Sequence, residues 1–75
     1  MTITVYSKPH CPQCDRTKRD LDMLGIDYRS IDLSRDHEQR DRLVAAGHRQ
    51  APVVETEHGA WSGYDQARIR ALVAA

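Results

Sequence analysis

Two cysteines, Cys11 and Cys14, are the only thiols in the chain, with Pro12 and Gln13 between them. A strand-like run, Ile3 to Tyr6, precedes the pair, and a helix-like run, Asp15 to Leu24, follows it. Thiols so spaced at a helix start approach closely enough for a disulfide. The partial positive charge of the helix N-terminus also favours a thiolate over a thiol. Thiol–disulfide exchange needs an exposed thiolate to attack and a second thiol nearby to release the mixed disulfide. Cys11, ahead of the helix, is the expected nucleophile, its sulfur facing solvent and the first-turn N–H groups, and Cys14, one turn in, the shielded resolving thiol. The redox group is then the Cys11–Cys14 disulfide itself, with no bound cofactor. Inert reduced cysteines, one of them in the core, are the bland alternative.

Zinc is the rival chemistry for the pair, with His10, His37, His48 and His58 as further ligands. Structural zinc wants four ligands, usually from two closely spaced pairs. The histidines are scattered with no second pair, so no metal site is expected and a metal-binding or adaptor module is the rival of another class. Lys8, three residues before Cys11, and His10, beside it, are candidates to stabilise the thiolate, and each equally reads as an exposed side chain. Pro12 suits the first helical position, where its missing N–H costs nothing, and it stiffens the loop between the thiols. Gln13 either contacts a partner or covers the turn.

The elements around the pair must be few. Seventy-five residues are expected to make one domain, 1–75, and a chain this short buries only about 60% of the surface its unfolded form exposes. Eleven basic and eleven acidic side chains balance, so no net field draws the protein to nucleic acid or anionic lipid. The Arg35 to Arg42 stretch alternates in sign and reads as a solvated helix face. No apolar run approaches the roughly 18 residues of a membrane span, and Met1-Thr2-Ile3 starts directly in strand pattern, so a cytoplasmic monomer without a membrane partner is expected. A single C-x-x-C pair also differs from the multi-bridge framework of small secreted domains.

Along the chain, Thr2 to Ser7 reads as a first strand and Thr17, Leu21 and Leu24 recur at helical spacing up to a stop at Gly25. Tyr28 to Leu33 alternates as a second strand, parallel to the first across the helical crossover. Asp36 to Ala46 is a helix with Ser34 as candidate cap, Leu43 and Val44 facing inward and Gly47 ending it. Pro52 to Thr56 and Ala60 to Ser62 form a hairpin about Glu57-His58-Gly59, and a last helix from Asp65 to Val73 buries Ile69, Leu72 and Val73. The expected class is α/β in the order βαβαββα. Pro52 opens a strand that must lie beside the cysteines, its bland alternative being a proline that starts an edge strand, and Trp61 is either core filler or part of an apolar docking surface with Tyr6 and Tyr64.

This order, with C-x-x-C after the first strand and a proline opening the third, resembles the thioredoxin-like fold, which implies a four-stranded mixed sheet flanked by three helices. More narrowly, Tyr6-Ser7-Lys8-Pro9-x-Cys11-x-Gln13-Cys14, Gly25-Ile26-x-Tyr28, Gln50-Ala51-Pro52-Val53-Val54 and Trp61-Ser62-Gly63 resemble the NrdH-redoxins, glutaredoxin-like electron donors of class Ib ribonucleotide reductase. The resemblance implies a dithiol–disulfide oxidoreductase that serves the large subunit of that enzyme and is recharged by thioredoxin reductase and NADPH. It also implies a cis Ala51-Pro52 bond that aims the backbone of Gln50 and Ala51 at the active site, and a docking role for Trp61, Ser62 and Gly63. The chain departs from the family at Tyr64-Asp65-Gln66, where Phe-Arg-Pro is usual. Gly63-x-Asp65 partly recreates the Gly-x-Asp with which glutathione-using glutaredoxins hold the tripeptide's amino group, so a glutathione-dependent glutaredoxin is the nearest alternative. The paired glycines and Thr-Val-Pro that normally accompany that feature are absent.

Overall fold

The computed structural model describes residues 2–74; Met1, with which the first-strand pattern opens, lies outside them. Four strands, β1 (Thr4–Ser7), β2 (Arg29–Asp32), β3 (Val53–Thr56) and β4 (Gly59–Ser62), and three helices, α1 (Pro12–Met23), α2 (His37–Ala45) and α3 (Gln66–Ala71), follow the expected order, with a 3-10 turn over Leu72–Ala74 at the end. The strands line up as β2-β1-β3-β4. β1 runs parallel to β2 and antiparallel to β3, and β3 pairs antiparallel with β4. The sheet is thus mixed, with β1, the strand that delivers the cysteines, at its centre.

Strand alternation sorts the core. Val5, Val54 and Trp61 share one cross-strand row and face α1 and α3, in a cluster with Ile3, Leu21 and Ile69. Tyr6 and Val53 pair in the next row and face the other way, against Leu43 of α2. Side chains two apart in a strand share a face, so a shift of one residue would exchange the two clusters.

Helix ends depart from the sequence pattern in instructive ways. α1 starts at Pro12 rather than Asp15, with Cys11 as its cap, because proline needs no partner for an N–H it lacks. Its buried stripe is Cys14, Thr17 and Leu21. Leu24, expected on that stripe, is 42% exposed, since it occupies the C-cap where the chain turns away. Gly25 follows at φ +70, a left-handed conformation that glycine adopts without a Cβ penalty, and the Ile26 N–H closes the turn on the Leu21 carbonyl at 2.9 Å. α2 is capped by Asp36, whose carboxylate accepts the Gln39 N–H at 3.1 Å. Ser34, the expected cap, instead donates to Asp32 at 2.6 Å. Val44 is 44% exposed, so Leu43 alone is the buried residue of α2. In the last helix Ile69 is buried and Leu72 packs partly against the core. Val73 is 58% exposed, because the 3-10 turn changes the helical period just before it.

With so little apolar anchorage, α2 is tied down by polar contacts. Arg42 donates to Glu55 of β3 at 3.1 Å and to the Tyr6 hydroxyl at 3.0 Å, and that hydroxyl donates to Glu55 at 3.0 Å. Hydrogen bonds from Arg42 hold the Glu55 carboxyl below the usual carboxylate range, helped by Tyr6 and opposed by burial. Burial, with Glu55 beside it, pushes the Tyr6 phenol up. A depressed folded pKa means that Glu55 stabilises the fold fully above the ordinary carboxylate range, and that this contribution fades as pH falls through the folded value. Glu55→Gln is therefore expected to lose less stability than the unaltered protein between about pH 5 and about pH 3. The difference should stay below about 1 kcal/mol because the pair is partly solvated. Urea unfolding at both pH values measures it, and identical acid slopes would rule out the coupling.

Candidate active site

Cys11 is the N-cap of α1, in extended backbone at φ −121 and ψ 97. Its sulfur accepts the Cys14 N–H at 3.2 Å, the contact by which a helix start stabilises negative charge. The two residues are joined as a disulfide, with Cα atoms 5.2 Å apart. Cys14 is shielded, as expected, at 1% exposed, whereas Cys11, expected to face solvent, is itself only 7% exposed. The order between them survives, with Cys11 the more accessible. Just upstream, His10 holds φ 57, a left-handed turn that swings the chain from β1 onto the helix end.

Three segments close on the disulfide. The first is Gln50-Ala51-Pro52, where the Ala51–Pro52 bond is cis and Pro52 is fully buried. The Ala51 carbonyl oxygen lies 3.7 Å from the Cys11 sulfur. In the disulfide this is a contact; in the dithiol it offers an acceptor to the Cys11 thiol. The second is Trp61 to Tyr64, clasped to the first by the Gly63 N–H on the Pro52 carbonyl at 2.8 Å. Gly63 sits at φ +81, and a Cβ there would meet the side-chain oxygens of Gln13 and Gln50 at 3.5 and 3.6 Å. The third is the motif itself: the Gln13 side chain accepts the Tyr64 N–H at 3.1 Å, and its main-chain carbonyl accepts the Thr17 hydroxyl at 2.9 Å.

The structure thus gathers Pro12, Gln13, Gln50, Ala51, Pro52, Gly63 and Tyr64 around the cysteines. Lys8 is exposed at the end of β1, beside Ala51 in a shared groove. Ser62 is linked through its hydroxyl to His48 Nδ1 at 2.6 Å. Tyr6 stands apart from a docking surface. It is buried, with its hydroxyl spent on Glu55 and Arg42. Trp61 packs on the α1–α3 cluster, under Arg68, whose guanidinium lies 5.7 Å from the ring centroid. Core packing is the position the fold gives it.

Several residues that shape the site were not singled out from the sequence. The Tyr64 hydroxyl donates to Asp20 at 2.5 Å, and Arg16 lies 5.0 Å over the Tyr64 ring. The Asp20 bond pushes the Tyr64 phenol up, as expected when a carboxylate holds its proton. Arg16 and Asp20 are four apart on α1 and read in sequence as an ordinary surface pair. Asp65, the candidate anchor for glutathione, caps α3 by accepting the Arg68 N–H at 3.0 Å, and its other oxygen faces the Arg68 guanidinium at 3.5 Å. Among the described residues no three His, Cys, Asp or Glu side chains come together to hold a metal ion.

The glutaredoxin family profile matches residues 3–58. Glutaredoxin-like protein NrdH of Escherichia coli (strain K12) is 39% identical over 72 residues, spanning 96% of this chain and 89% of that protein. The chain belongs to the glutaredoxin family, among its NrdH-redoxins. Glutaredoxin-like protein NrdH of Lactococcus lactis subsp. cremoris is 31% identical over 70 residues, 93% of this chain and 97% of the relative. The solved structure of Escherichia coli NrdH-redoxin, described as a glutaredoxin-like protein with a thioredoxin-like activity profile, superposes with a TM-score of 0.94 over 96% of this chain and 95% of that one. The fold is therefore thioredoxin-like, and this NrdH-redoxin is a thiol–disulfide oxidoreductase whose redox pair is Cys11 and Cys14. No helix among the described residues is long and apolar enough to cross a membrane.

Proposed function

We propose that this protein is the cytoplasmic dithiol electron donor of a class Ib ribonucleotide reductase, acting as a monomer on the large subunit and recharged by thioredoxin reductase and NADPH. The observation that carries the chemistry is the Cys14 N–H on the Cys11 sulfur at the start of α1. In the reduced protein the Cys11 thiolate attacks one sulfur of the partner disulfide. A mixed disulfide forms and the partner's other sulfur leaves as a thiolate. Cys14 gives up its proton and attacks the Cys11 sulfur, which releases the second partner thiol and leaves the oxidised pair. Two electrons pass to the partner, whose two thiolates take up the Cys14 proton and one from solvent, and thioredoxin reductase returns the two electrons from NADPH. An extended partner segment can pair with the backbone of Gln50 and Ala51, with Ser62 and Tyr64 bordering the same opening.

Identity with NrdH across nearly the whole chain supports this assignment. A glutathione-linked role has Gly63-x-Asp65 in its favour, but the Asp65 carboxylate is engaged in capping α3. The test is turnover of a class Ib ribonucleotide reductase with thioredoxin reductase, NADPH and catalytic amounts of this protein as the sole reductant chain. Sustained deoxyribonucleotide production is expected, and its absence alongside normal reduction of other protein disulfides would reassign the acceptor.

A further inference from the structure

A groove of about 290 Å³ is lined by Leu33, Leu43 and Val53 together with Lys8, Arg40 and Arg49, and it reaches toward the disulfide at Ala51, whose carbonyl oxygen lies 3.7 Å from the Cys11 sulfur. No aspartate or glutamate lines it. On the other flank, a hollow of about 310 Å³ is formed by Pro12, Gln13, Arg16 and Tyr64, and Arg16 is its only charged residue. A chain with eleven cations and eleven anions has therefore placed cations alone in both hollows beside its reactive sulfurs.

These cations are available. Lys8 and Arg49 make no side-chain hydrogen bond or ion pair among the described residues, and Arg40 reaches only its neighbour Asp41 at 3.4 Å, with both side chains largely exposed. Exposed cations beside apolar side chains complement a polypeptide in which carboxylates alternate with apolar side chains. Such complementarity acts on the encounter rate and is screened by salt.

We propose that the groove seats an acidic, partly apolar stretch of the partner polypeptide next to its disulfide, so that charge selects which protein disulfides are reduced. This rests on the oxidoreductase role given above and specifies its substrate class.

The test uses two synthetic peptides with the same intrachain disulfide, one flanked by Leu and Glu and the other by Leu and Lys, mixed with the reduced protein. The Glu peptide is expected to react about tenfold faster at about 20 mM salt, with the preference shrinking at about 500 mM. In the doubly reversed Arg40→Glu, Arg49→Glu protein the preference should invert. Equal rates, a faster Lys peptide, a preference unmoved by salt, or a Glu preference retained after reversal would each overturn the proposal. Hydroxyethyl disulfide, uncharged and small, separates the two levels of inference in the unaltered protein. Its reduction without charge discrimination between the peptides overturns the groove alone, whereas failure to reduce it overturns the thiol chemistry and the groove with it.

Discussion

Replacing Cys11 with serine is expected to lower protein-disulfide reduction by on the order of a hundredfold or more, because the step that forms the mixed disulfide has no other nucleophile. Cys14→Ser should behave differently. It keeps the attacking sulfur and removes the resolving one, so covalent complexes with the partner accumulate and are released by added dithiothreitol. The asymmetry follows from α1: Cys11 caps it and accepts the Cys14 N–H, while Cys14 lies on the buried stripe with Thr17 and Leu21. Non-reducing electrophoresis against a disulfide-bonded partner distinguishes the two variants. In the reduced unaltered protein, iodoacetamide should label Cys11 first, at a pH below the ordinary thiol range. Near-normal turnover by Cys11→Ser, or trapping by Cys11→Ser instead of Cys14→Ser, would reverse the assignment.

The second large effect separates the two ways of recharging the disulfide. NADPH with thioredoxin reductase should reduce the oxidised protein at least about tenfold faster than glutathione with glutathione reductase. Holding a charged tripeptide requires several fixed contacts, and a single charge-assisted hydrogen bond contributes only about 1.5–3 kcal/mol net, too little to offset immobilising the ligand. Asp65 is the one glutathione-like residue of its segment, and it is engaged: one oxygen caps α3 and the other faces Arg68. Diverting it to a ligand would also forfeit a cap that contributes about 1 kcal/mol. Asp65→Arg, the residue usual in the family, should thus lower stability by about that amount, reduce any residual glutathione activity and leave the thioredoxin reductase route nearly unchanged. Stopped-flow comparison of the two couples decides the matter, and a faster glutathione couple would replace this view.

Local patterns in the sequence were sufficient for the elements and for the redox pair. β-Branched and aromatic runs marked β1 and β3, but the facing of their side chains came only with the fold, because consecutive apolar residues such as Val5-Tyr6 and Val53-Val54 fill both faces of the sheet. Cys11, Pro12 and Cys14 announced a helix start with thiols on it, because capping and proline preferences act over three or four residues. The resemblance added the cis Ala51–Pro52 bond, which spacing alone did not favour. Helix ends were less legible: Asp36 displaced Ser34 as a cap, and Leu24, Val44 and Val73 stayed exposed, because choice among neighbouring caps and the rotation of the last turn depend on what each helix packs against.

Contacts between residues far apart in the chain were decided by tertiary structure alone. Tyr6 carries the aromatic character of an exposed or a buried strand equally well, and only α2 above it, with Arg42 reaching Glu55, decides for burial. Asp65 has the spacing of a ligand anchor but serves as a cap once α3 begins at Gln66. Lys8, Arg40 and Arg49 are spread over forty-odd positions of a chain with no net charge, and they share a groove because β1, α2 and the segment before β3 meet there. Composition sums charges over the whole molecule, whereas the field at the disulfide depends on where the fold places them, and that is set by long-range packing.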